Sequence, residues 1–152
     1  YCDADYVKKE TDRRSVSRIA VMYGGVVVSA TSRTQYCVTL STTEAEYVAM
    51  AEGAKERLFV KVVLTFLRLQ TVSGCGEDHG IVLYEDNEGA KALAENPFSS
   101  ERSKHIDVRC HFIRELVGTG NIRVVHVGSG WQHADIWTKP LSINLFTGHS
   151  RF

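Results

Sequence analysis

The stretch running from Ser41 to Leu69, "STTEAEYVAMAEGAKERLFVKVVLTFLRL", decides the fold, because it reads as one long helix with an apolar side. Ser41 followed three residues later by Glu44 is a capping box, in which side chains take up the backbone amides left over at a helix start. Ala45, Val48, Ala49, Phe59, Val62, Val63 and Phe66 then recur at helical spacing and predict an apolar stripe along its length. Upstream, "YCDADYV" alternates as a strand does, with Cys2, Ala4 and Tyr6 on one face and Asp3 and Asp5 on the other. "VSRIAVMYGGVVVSATS" reads as two strands joined at Gly24-Gly25, a pair that suits a tight hairpin. Downstream, "VSGCGEDHG" is a loop, "IVLYED" a short buried strand, and "NEGAKALAENP" a helix stopped before Pro97. "SSERSKHIDVRCHFIRELVGTG" predicts a further helix closed by Gly118 or Gly120. "NIRVVHV" is a last strand, and "WQHADIWTKP" a short helix that Pro140 ends.

The order is therefore strand, hairpin, helix, strand, helix, helix, strand, helix. An antiparallel meander followed by strand–helix–strand units predicts an α/β domain with a mixed five-stranded sheet and helices on both faces. At 152 residues, 17.0 kDa and 43% hydrophobic content, one domain with a sizeable core is expected. Residues 1–141 form that domain, and 142–152, which carry no motif, are expected to be a tail. Cys2, Cys37, Cys75 and Cys110 are scattered without a C-x-x-C pair, which argues against a zinc ribbon or a disulfide framework. No apolar run has the length of a membrane span, so no membrane partner is expected. An intracellular setting follows from the same features. The formal net charge of zero omits whatever a bound cation would add. The chain does not open on methionine, and a fragment or processed product is expected.

Open sheets carry their sites beyond the strand carboxyl ends, where the chain changes direction. Four acids can meet there. Asp3 comes from the first strand, Glu46 from the first turn of the long helix, Asp86 from the end of the fourth strand, and Asp135 from the terminal helix. Crowded carboxylates stay ionised only beside a cation, and an all-oxygen donor set suits Mg²⁺ or Mn²⁺. Each acid also has an ordinary reading. Asp3 and Asp5 can blunt a strand edge, Glu46 can support a helix terminus, and Asp86-Asn87 can cap the next helix.

Taken together, "YCDADY", "LSTTEAEYVAM", "LYEDNEGAKALAENP", "RSKHIDVRCHFIRE" and "HVGSGWQHADIWTKPL" resemble the ribonuclease H domain of copia-type LTR retrotransposon polyproteins. The match in order and spacing runs to about Leu141. The resemblance implies a ribonuclease H fold and a two-metal endonuclease cutting the RNA strand of RNA–DNA hybrids. Asp3, Glu46, Asp86 and Asp135 would be its catalytic acids and would hold two Mg²⁺ or Mn²⁺ ions, with Asp3 bridging both. It also implies a neighbouring reverse transcriptase in the parent polyprotein, and a cytoplasmic particle or the nucleus as its place of action. The alternative is a catalytically inactive module that keeps the fold and binds nucleic acid or a protein.

Further residues follow from position. Asn87, Arg102, Lys104 and His105 are candidates for contact with nucleic acid, as are Arg109 and Arg114 beside them. Asp5, two residues from Asp3 on the same face, is its rival, expected towards the rim near solvent or the basic "VKKETDRR" loop. His133 is a possible auxiliary group, although the Gly-His pattern usual before the last acid of ribonucleases H is missing from "GSGWQHAD". His126 alternates along a strand and reads as structural.

Overall fold

The tight turn at Gly24-Gly25 sets the first half of the fold. Both glycines take positive φ, +58° and +81°, as a two-residue hairpin requires, in the computed structural model, which describes residues 1–7, 12–69, 81–96 and 107–134. The turn joins β2 (Val16–Tyr23) to β3 (Val26–Thr34), and β2 also pairs antiparallel with β1 (Cys2–Asp5). In that register Asp3 stands opposite Arg18. The second half is a parallel pair, β4 (Ile81–Glu85) with β5 (Ile122–His126). The five expected strands are thus present as two hydrogen-bonded groups, which meet where β1 runs beside β4.

The long helix, α1 (Thr42–Phe66), begins as its sequence dictates. Ser41 Oγ accepts from the Glu44 amide at 3.2 Å, and Glu44 Oε2 accepts from the Leu40 amide at 2.7 Å. Every residue from Ala45 to Ala51 is buried, because this part of the helix lies between the strands and two further helices, α2 (Glu88–Glu95) and α3 (Asp107–Gly118). Ala45 and Ala49 pack on Ala4. Cys2 joins Tyr47, Met50, Leu83, Ile113 and Val124 in the larger core. Gln35 ties the layers together, donating to Ser17 Oγ at 3.0 Å and to the Ala45 carbonyl at 2.9 Å.

The predicted apolar stripe reaches the core only in its first half. Phe59, Val62, Val63 and Phe66 are exposed, Phe66 by 85%. Leu64 is the one buried residue of the last turns of α1. The three described α-helices touch one another. The short terminal helix expected over "WQHADIWTKP" lies, from Asp135 on, outside the described residues. So does the tail. Gly120, with φ +72°, donates to the Val117 carbonyl at 3.0 Å and closes α3. Among the described residues, no helix is long and apolar enough to cross a membrane.

Candidate metal centre

Three elements bring an acid each to the meeting of the two strand groups. Asp3 sits inside β1, Glu46 on the second turn of α1, and Asp86 one residue past β4. One carboxylate oxygen of each lies within 4.8 Å of the others. Asp3 and Glu46 are buried and Asp86 is half-buried. Glu46 was expected in the first turn of the helix; that turn holds Glu44 instead, so the acid is set deeper and further from the helix end.

The electrostatics reflect this crowding. Burial, then the nearby Glu85, Asp3 and Asp86, push Glu46 up to about 10, while a hydrogen bond from the Ala4 backbone pulls the other way. Glu46 Oε2 is buried and has no hydrogen-bond partner. A desolvated carboxylate oxygen left without a donor, beside two further acids, is a fitting ligand for a hard cation.

Two charged residues that the motifs did not single out complete the surroundings. Arg18, buried on β2, donates from Nη1 to Asp3 Oδ2 at 3.0 Å and from Nη2 to Asp5 Oδ2 at 2.7 Å. Asp5, expected near solvent or the basic loop, therefore engages the neighbouring strand. Glu85, fully buried at the end of β4, is pushed up to about 8 chiefly by desolvation. Its Oε1 accepts from the Asn87 amide at 3.1 Å, and its Oε2 accepts from the Cys2 thiol at 3.3 Å. Glu85 thus ties β4 to β1. The alternation Ile81, Leu83, Glu85 on one face was the signal for it.

The remaining candidates divide. Asn87 is the N-cap of α2, accepting from the Ala90 amide at 2.9 Å, so the dipeptide Asp86-Asn87 splits between cluster and cap. Arg114 donates from Nε to the Leu93 carbonyl at 3.0 Å and fastens α3 to α2. His126 places Nε2 at 3.1 Å from the Asp86 carbonyl oxygen, beside the cluster. His133 is buried, its ring edge-on to Tyr1 at 4.5 Å, rather than facing solvent. Trp131 is exposed. Gln132 donates to the Cys2 carbonyl at 2.7 Å, which docks this segment on β1. Asp135, Arg102, Lys104 and His105 lie outside the described residues, as does the side chain of Arg109.

Sequence comparison now adds kinship to the geometry. Over 151 residues, 99% of its length, the chain is 40% identical to the retrovirus-related Pol polyprotein from transposon RE2 of Arabidopsis thaliana. It is 36% identical over 146 residues to the corresponding polyprotein from transposon TNT 1-94 of Nicotiana tabacum, covering 96% of the chain. The chain is homologous to the Pol polyproteins of copia-type transposons. It spans about a tenth of these Pol polyproteins, 10% of each. No family model matches. Among solved structures, RNase H1 from the halophilic archaeon Halobacterium salinarum matches with a TM-score of 0.56 at 14% identity, covering 88% of this chain and 87% of that one. The chain has the ribonuclease H fold.

Proposed function

We propose that this Pol segment is a divalent-cation-dependent endonuclease that hydrolyses the RNA strand of RNA–DNA hybrids. The observation that carries the reading is the convergence of Asp3, Glu46 and Asp86, with a buried and partnerless Glu46 oxygen, on a ribonuclease H fold. Those three side chains hold Mg²⁺ or Mn²⁺, joined by Asp135 as the sequence motif implies. Two such ions bound there would supply a clamp on the scissile phosphate, an activated water and charge relief for the leaving 3′ oxygen. The chain's own part is to fix the acids and tune them. Glu46 gives up its proton when the site fills, because only the carboxylate is a ligand. Asp3 is oriented by Arg18, which donates from Nη1 to its Oδ2 at 3.0 Å.

Hybrid selectivity follows from the 2′ hydroxyl, which marks RNA, and from the partner strand, which sets the helix shape. In the parent polyprotein the segment acts beside a reverse transcriptase. The test is cleavage of a labelled hybrid, single-stranded RNA and duplex DNA by the purified chain, with Mg²⁺, Mn²⁺ or chelator. Cutting of the hybrid's RNA strand alone, and only with metal, is expected, leaving 5′ phosphates and 3′ hydroxyls. Comparable cutting of duplex DNA would point to another nuclease of this fold, and hybrid binding without cleavage to an inactive module.

A further inference from the structure

Arg18 stands opposite Asp3 in the β1–β2 ladder. A guanidinium carries its donors in a rigid planar fork and keeps its charge at any working pH. One prong reaches Asp3 Oδ2 at 3.0 Å and the other Asp5 Oδ2 at 2.7 Å. Side chains two apart on a strand are separated by roughly 6.6–6.8 Å, a span that suits a fork better than a point charge. Arg18 is only 1% exposed, and its Nε has no hydrogen-bond partner. A cation so thoroughly removed from water is held by the carboxylates it touches. The two differ in setting. Asp3 belongs to the cluster with Glu46 and Asp86 and is almost wholly buried, whereas the Asp5 side chain is 34% exposed and stands outside that cluster.

We propose that Arg18 and Asp5 form a positioning pair for Asp3, in which Asp5 anchors one prong of the guanidinium and so limits how far its charge neutralises the metal-binding aspartate. The inference rests on the reading of Asp3, Glu46 and Asp86 as a cation site. Shared between two carboxylates, one positive charge orients Asp3 and leaves the trio net negative. With Asp5 neutralised, the same fixed charge pairs one to one with Asp3 and competes with a divalent ion for it.

Mn²⁺ binding, measured by isothermal titration calorimetry, tests this on the wild type, Arg18→Met, Asp5→Asn and the double variant, each first checked by circular dichroism. Asp5→Asn should weaken Mn²⁺ binding by at least about tenfold. Arg18→Met should tighten it in both backgrounds, and by at least about tenfold more in the Asp5→Asn background, where the one-to-one pair has formed. Loss of the Asp5 charge alone would act equally whether or not Arg18 is present. Equal gains from Arg18→Met in the two backgrounds would therefore overturn the pair while leaving the cation site standing. A wild type that binds no Mn²⁺ overturns both. Should Arg18→Met not fold, Arg18→Gln in the same two backgrounds gives the same comparison.

Discussion

Glu46→Gln offers the sharpest test of the buried cluster, because glutamine has the shape of the neutral acid and no proton to lose. In the folded chain Glu46 keeps its proton to about 10, against an ordinary value of 4.5. Between those limits the folded state binds a proton that the unfolded chain has released, so metal-free stability falls as pH rises. Each such proton is worth about 1.36 kcal/mol per pH unit. From about pH 6 to about pH 8, Glu46 alone should therefore remove up to about 2.7 kcal/mol. Glu85, raised to about 8, contributes a slope of the same sign, and it is present in both proteins. Urea unfolding in chelator at the two pH values should show the wild type losing up to about 2.7 kcal/mol more than Glu46→Gln. With saturating Mn²⁺ the Glu46 contribution to the wild-type slope should vanish, since the bound ion keeps the acid deprotonated in the folded state as it is in the unfolded chain. Parallel metal-free pH curves for the two proteins would refute the reasoning, because they would mean that Glu46 is ionised throughout.

Asn87→Ala should cost about 1 kcal/mol through loss of the α2 cap while Mn²⁺ titration stays as in the wild type; a lost metal response would make Asn87 part of the site. Asp3→Asn should abolish hybrid cleavage in a folded protein, whereas Asp5→Asn should retain measurable turnover once Mn²⁺ is saturating. The reverse outcome in a gel cleavage assay would exchange their roles. Phe66→Lys should change the unfolding free energy by no more than about 0.5 kcal/mol, because the ring lies in solvent; a larger loss by urea titration would place it in a contact.

The start of α1 was readable because its cap is a local device, complete within Leu40 to Glu44. The second half of the same helix was misread for a physical reason. Periodicity at Phe59, Val62, Val63 and Phe66 defines a common face but says nothing of what lies opposite, and these four side chains are exposed. Asp3 was legible as an acid on the first strand and Asp86 as one at a strand end. Glu85 was hidden by its neighbour: two acids in a row drew attention to the one past the strand, although strict alternation aims the other into the core. Arg18 needed more than local pattern. Its place opposite Asp3 depends on the register of β1 against β2, and no two-residue turn joins those strands to fix that register from sequence. Asn87 had two sound readings, and only the hydrogen bond to the Ala90 amide chooses between them.

The meeting of β1 with β4 has a consequence for how the molecule breathes. Among the described residues no backbone ladder joins these strands. Side chains bridge them instead, with the Cys2 thiol donating to the Tyr84 carbonyl at 3.3 Å and to Glu85. A boundary held by side chains opens at lower free energy than one held by consecutive amide bonds, so cooperative units divide along it. Backbone amides of the β1–β2–β3 meander and those of β4–β5 should then exchange with deuterium as two blocks, each with its own opening free energy, as hydrogen-exchange measurement would show. Asp3 and Asp86 stand on opposite sides of that line, so a ligand gripping both fastens one block to the other. The same acids that would perform the chemistry also decide whether the domain opens as two pieces or as one.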